Sequence, residues 1–398
     1  MRGSPCVLFL AQLFLFPFSM FFLLGGMPGA DVGVKAQEKA KGAFGHIPAR
    51  MLEFVKEHKI SGAVTLVAHK GKVVHVAAVG KADIENNIPM RSDSIFAIAS
   101  MTKPITATAL MILVDEKKVA LDDPVAKYIP AFGNVKLRNG QKPKQTMTIR
   151  HLMTHTSGLA GSQRNEGSLE NTVVELAKRP LLFEPGTRWQ YSPGLTVCGR
   201  IIEIVAKQPY EQFLEERIFQ PLKMKDTTFF PTKEQQKRVV SLYRPGKEKS
   251  LQATTHWISE LSDKRTPNPS AGLFSTAADL ANFYQMVLHD GEWNGKRILS
   301  KEAVSQMTRV QTGELQTGFT PGNGWGLGWC VVRKPEGVTG MLSPGTFGHG
   351  GAFGTQGWVD PRKKAIYVLL IQRTGFGNSD ASAIRAAFQE LAAKALDD

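Results

Sequence analysis

The stretch "IASMTKPIT", residues 98–106, sets a serine three residues ahead of a lysine, where an apolar alternating segment gives way to the helix-like run "ATALMILVDEKK". A serine hydroxyl is a poor nucleophile at neutral pH and needs a base within hydrogen-bond reach. Residues three apart on a helix share a face, so Ser100 and Lys103 can point the same way. Pro104 has no N–H to offer the carbonyl of Ser100, so no helix is well established upstream and Ser100 belongs at the helix start. Free backbone N–H groups and the positive end of the helix dipole there favour developing negative charge. A nucleophile, a base and an anion-stabilising backbone would meet at one spot. The plainer reading is an N-cap serine with no chemistry, and an S-x-x-K pair arises by chance about once in a chain of this length. The elements around the pair have to decide.

Those elements read as α+β. Apolar spacing from Ile47 to His58 suits a helix. "GAVTLVAHKGKVVHVAAVG" predicts two strands around a Lys-Gly turn. A helix follows "IASMTK" to about Lys118. The middle of the chain is mainly helical: "TMTIRHLMTHTSG", "GLTVCGRIIEIVAK", "YEQFLEERIF", and "TAADLANFYQMVLHDG" with Thr276 as its N-cap. Strand character returns in "GWGLGWCVVRK", "TFGHGGAFGTQGWVD" and "KAIYVLLIQR", and "SDASAIRAAFQELAAKAL" closes the chain as an amphipathic helix. Strands at both ends with helices between predict an antiparallel sheet built from the N- and C-terminal segments and flanked by helices. A mainly helical lobe, at roughly residues 118–290, is inserted. A cleft between sheet and lobe is the natural ligand site.

The 398 residues and 42% hydrophobic content describe a globular chain with no repeat at solenoid spacing. Its formal net charge of +14 comes from lysines and arginines interleaved with acids, as in "DEKKVALDD", so a nucleic-acid partner is not expected. Residues 1–36 stand apart: Arg2, then the uncharged "CVLFLAQLFLFPFSMFFLLGG", then small residues at a possible cut after Ala36. This describes an export signal or a membrane anchor. Residues 37–398 would then form a single catalytic domain working outside the cytoplasm, with membrane association only through that segment. Of the three cysteines, Cys6 lies in the leader; Cys198 and Cys330 sit in apolar runs that suit buried inert thiols, with a single bridge between them left open. No H-E-x-x-H or paired-cysteine pattern points to a metal, and no cofactor is expected. The lack of a G-x-S-x-G elbow argues against an α/β-hydrolase. The oligomeric state is not legible.

The passage "GKADIENNIPMRSDSIFAIASMTKPITATALMILVDEKKVALDDPVAKYIPAF" closely resembles the serine β-lactamase and penicillin-binding-protein superfamily, in its class C-like branch. The resemblance continues through "LMTHTSGL", "FEPGTRWQYSPG", "AGLFSTAADLANF", "GWGLGW" and "FGHGGAFGTQGWVD", covering nearly everything after about Ile60. The three motifs stand in the family's order, about 90 and then about 160 residues apart. The resemblance implies that Ser100 is the acylated nucleophile, Lys103 its activating partner, and Tyr191 of "YSP" a third catalytic group sharing a proton with Lys103. It further implies that His349, Gly350 and Gly351 form the substrate-binding third motif, with the backbone N–H of Ala352 completing an oxyanion hole with that of Ser100. The two glycines also suggest, on their own, a close approach by a ligand or another backbone. His155 in "HTSGL" is expected to serve turn geometry, and Trp325, Trp329, Phe353 and Trp358 to wall an acyl pocket or to pack in the core.

Two positions depart from the antibiotic-destroying members. The second motif ends in Pro193 where they carry asparagine, and the third begins with His349 where they carry lysine. Neutral histidine attracts a carboxylate less than an ammonium does. The expected activity is therefore hydrolysis of a small ester, amide or peptide through an acyl-enzyme, with esters ahead of β-lactams. The alternatives are a D,D-carboxypeptidase or a penicilloyl-accepting sensor that does not turn over.

Overall fold

A computed structural model describes residues 42–161, 167–262 and 264–397; the expected leader, residues 1–36, lies outside the described residues. The chain enters through α1 (His46–Lys56), followed by β1 (Gly62–His69), β2 (Lys72–Asp83), the short β3 (Ile88–Pro89) and β4 (Phe96–Ala97). Then come α2 (Thr102–Asp115), α3 (Ile149–Met153), α4 (Leu169–Ala177), α5 (Gly194–Ala206) and α6 (Tyr210–Leu214). The short β5 (Phe274–Ser275) pairs with β4 and leads into α7 (Ala277–Leu288). The C-terminal part supplies β6 (Asn323–Trp325), β7 (Cys330–Val332), β8 (Phe347–Gly350), β9 (Gln356–Asp360), β10 (Ala365–Leu370) and α8 (Ala383–Asp397).

The main sheet has eight strands in the order β6-β7-β8-β9-β10-β1-β2-β3, antiparallel throughout. The two ends of the chain thus meet at β10 and β1, where Val64 faces Leu370 and His69 faces Ala365. Side chains alternate along each strand, and here both faces are covered. Val64, Leu66, Ile366, Val368 and Leu370 join one core; Ala63, Val67, Ala365, Tyr367 and Leu369 join the other. Double burial is why β1 and β10 read as unbroken apolar runs. Helices α1 and α8 lie together on one face, while α7 packs against β1 and β10 on the other. Sequence order had set α7 at the end of the helical lobe; its contacts join it to the sheet.

Helix α2 is buried on every side from Thr102 to Leu113 and packs on α5, as a helix apolar all round must be. It ends at Asp115 rather than near Lys118 because Lys117 adopts a left-handed φ of +57°. His58 does the same after α1. Helices α3, α4 and α7 start on side-chain caps: Thr148, Ser168 and Thr276 each accept from the N–H three residues on, satisfying an otherwise orphaned donor. The strand character of "GWGLGWCVVRK" resolves into the hairpin β6–β7, with Trp325 opposite Cys330. Cys198 and Cys330 are free and buried, so no bridge joins them. Among the described residues no helix is long and apolar enough to cross a membrane.

Candidate active site

Ser100 lies in a single 3-10 turn, Ala99–Met101, that feeds directly into α2. Ala99 takes a left-handed φ of +46°, a conformation that costs a residue with a Cβ roughly 1 kcal/mol. It is fully buried, and its carbonyl accepts from the Thr102 hydroxyl at 2.7 Å. Packing and this bond hold the bend that leads into Ser100.

Lys103, one turn on, is 3% exposed. Its Nζ is 3.4 Å from Ser100 Oγ and donates to the Ser270 carbonyl at 2.7 Å. The same Nζ sits over the face of the Tyr191 ring, 4.5 Å from the centroid. Burial pushes the Lys103 pKa down to about 7, since a low-dielectric site disfavours the charged form. A neutral amine, able to accept a proton, is therefore well populated at neutral pH. Ser270 was not foreseen: it acts through a backbone carbonyl, which no side-chain pattern marks.

Tyr191 arrives from the segment before α5. Burial raises its pKa, and a hydrogen bond from the Ser100 hydroxyl works against that rise. The phenol is thus protonated and donates to His349 Nε2 at 3.4 Å. Lys103 meets Tyr191 through the ring face, and its amine lies within hydrogen-bond reach of Ser100 Oγ.

His349 is 2% exposed on β8. Its Nδ1 lies 2.6 Å from the Gly350 carbonyl and must carry the ring proton to donate there. Nε2 is left as the acceptor for Tyr191. Burial, helped by the Lys103 charge, pushes the His349 pKa to about 3. The ring is neutral and both nitrogens are engaged, so it offers no charge to a substrate carboxylate. The glycines beside it answer to the protein's own packing. A Cβ on Gly350 would lie 1.8 Å from Asp380 Oδ1, and one on Gly351 would lie 2.6 Å from the Ile98 carbonyl and 2.1 Å from Thr355 Oγ1. The close approach expected at these glycines is made by the chain itself, and it brings the end of β8 against the residues leading into Ser100. Ala352, next along, is exposed.

Trp325, Trp329, Phe353 and Trp358 are all buried to within 2% and belong to the core. Trp325 backs the site, edge-on to His349 at 5.6 Å, whereas Trp329 stacks on Phe283. The aromatic that does face outward here is Phe319, 44% exposed and edge-to-face with Tyr191 at 5.0 Å. A lone Phe in the loop "QTGFTPG" carries no signal of this in sequence.

Comparison with known proteins gives the family of the chain. A family model described as Beta-lactamase matches residues 47–392. Protein Rv1367c of Mycobacterium tuberculosis is 34% identical over 364 residues, covering 84% of this chain and 91% of that protein. Esterase EstB of Burkholderia gladioli is 30% identical over 357 residues, covering 81% and 88%. Among solved structures, EstCE1, described as a hydrolase with promiscuous acyltransferase activity, superposes with a TM-score of 0.78 at 25% identity, covering 92% of this chain and all of that one. With the family model spanning most of its length and the antiparallel sheet and flanking helices of that fold in place, this chain belongs to the beta-lactamase family and is a serine hydrolase.

Proposed function

We propose that Ser100 is acylated by a small ester or amide and that esters are turned over faster than β-lactams. The observation that carries this is the buried Lys103 amine 3.4 Å from Ser100 Oγ with its pKa near 7. Lys103 takes the serine proton as Oγ attacks the carbonyl carbon. The tetrahedral oxyanion faces the backbone N–H groups of Ser100 and Ala352. Its collapse breaks the bond to the leaving alcohol or amine, which takes the proton back from Lys103. Water then repeats the sequence on the acyl-enzyme and frees the acid. Tyr191, which accepts from the Ser100 hydroxyl and donates to His349, aims Oγ until its proton leaves. The preference against β-lactams follows from Pro193, which has no amide to orient such a substrate, and from the neutral, internally bonded His349. Similarity to an esterase supports the ester preference.

Hydrolysis of p-nitrophenyl butyrate and of nitrocefin by wild type and Ser100→Ala tests this, with intact-mass detection of the acyl adduct. The ester is expected to be cleaved at least about a hundredfold faster than nitrocefin, and Ser100→Ala to lose adduct and turnover by a factor on the order of 10³ or more. Unchanged ester turnover in Ser100→Ala would sink the reading. We also propose that residues 1–36 direct export; N-terminal sequencing of protein recovered from the envelope fraction checks for cleavage after Ala36.

A further inference from the structure

His155 is completely buried in the turn after α3 and holds a left-handed φ of +59°. Its ring lies against Tyr191, 4.6 Å between centroids, with Trp325 at 5.1 Å and Trp189 at 6.1 Å. Nδ1 is 3.1 Å from the backbone nitrogen of Ser192 and 3.1 Å from its Oγ. A backbone N–H only donates, so Nδ1 is the bare nitrogen and the ring proton sits on Nε2. The carbonyl of the same residue accepts from the Gln190 N–H at 2.9 Å. One residue therefore grips the chain on both sides of Tyr191 and packs its ring on the phenol.

Two costs are carried for this. The Nε2–H is buried without a hydrogen-bond partner, a loss of roughly 1–3 kcal/mol that an apolar side chain would avoid. The left-handed backbone would also suit asparagine or glycine better. What histidine adds is an acceptor for residue 192 and a flat wall for residue 191 in one side chain. The titratable groups bearing on it are Lys103, His349 and Tyr191, and burial together with the Lys103 charge disfavours the imidazolium.

We propose that His155 is the positioning residue of Tyr191, fixing its ring beneath Lys103 Nζ and aiming its hydroxyl between Ser100 and His349. The inference rests on the acyl-enzyme reading above, and it assigns His155 no contact with substrate. Without it the phenol swings out of line and the amine is rehydrated, while the cleft that receives the substrate is unchanged.

The test is single-turnover acylation by p-nitrophenyl butyrate in His155→Ala and His155→Asn, at a temperature where thermal melts show both folded. Asparagine keeps an acceptor at the Nδ1 position and tolerates the left-handed backbone. His155→Ala is expected to lower the acylation rate constant about a hundredfold, the scale of an ångström's misplacement, with substrate affinity within about threefold of wild type. The acidic limb of its pH–rate profile should move upward as Lys103 regains water. His155→Asn should recover to within about tenfold of wild type with the limb restored. An acylation rate in His155→Ala within threefold of wild type would overturn the proposal, as would a limb that does not move, or an Asn variant no better than Ala. Peptide mapping of the same samples by tandem mass spectrometry locates the adduct. A label elsewhere than Ser100 would overturn the acyl-enzyme reading and this inference together, whereas a label on Ser100 with no His155 effect overturns only this one. Should His155→Ala not fold, His155→Gln, which lacks an acceptor at the Nδ1 position, takes its place under the same criteria.

Discussion

Lys103 is divided between charged and neutral forms at neutral pH because burial pushes its pKa to about 7. If the neutral form is the base, ester kcat/KM should rise about tenfold per pH unit below 7 and level off above it. A profile from pH 5 to 9 checks this, and a flat acid limb would be incompatible with it. The same burial weakens the fold. A lysine whose folded pKa is depressed imposes its full penalty below about pH 7, and the penalty fades as pH rises toward 10.5. At pH 7 this is on the order of 4 kcal/mol, partly offset by the bond to the Ser270 carbonyl. Lys103→Met is accordingly expected to abolish turnover while raising Tm by about 3 °C near neutral pH, less at pH 10. A lowered Tm at pH 7 would contradict the desolvation argument. Phe319 exposes an apolar face beside Tyr191. Phe319→Ala should raise KM about tenfold for p-nitrophenyl esters with a phenyl-bearing acyl group and leave p-nitrophenyl acetate nearly unaffected, since only the former have acyl surface to bury there.

At the scale of elements, the site is a junction between the turn that starts α2 and the end of β8. Gly351 lets them meet: its missing Cβ makes room for the Ile98 carbonyl and Thr355 Oγ1, which themselves bond at 3.2 Å. Gly351→Ala has to push these apart and is expected to destabilise the protein by about 1–3 kcal/mol. It should also cut kcat more than it changes KM, because Ser100 and Ala352 move relative to each other. Thermal melts and steady-state kinetics read the two effects, and a variant matching wild type in both would remove the junction from the account. Helix α3 depends on a reciprocal cap, in which the Thr148 side chain accepts from the His151 N–H and His151 from the Thr148 N–H. Thr148→Ala should cost about 1 kcal/mol.

Across the whole molecule, one sheet joins both ends of the chain, and two buried cores lie on its faces. Each core holds one thiol: Cys198 in the first, Cys330 in the second. Burial raises both pKa values, so neither is a ready thiolate. The native protein is expected to resist a thiol-specific colorimetric reagent. Once denatured, the chain should titrate two thiols if the leader has been removed and three if Cys6 remains. Rapid labelling of the folded protein would place a thiol outside the core.

Local regularity determined a good deal from the sequence alone. The spacing of Ser100 and Lys103, their place at a helix start, the doubly buried strands β1 and β10, and their union across an inserted helical stretch all follow from periodicity, proline and capping, which act over a few residues. The states of the site groups did not. Lys103 takes its hydrogen-bond partner from Ser270, 167 residues on, Tyr191 from His349, 158 residues on, and His155 from Ser192. Only the tertiary structure decided which of these carries a proton, because desolvation is the sum of everything packed around a group, and segments far apart in the chain supply that packing.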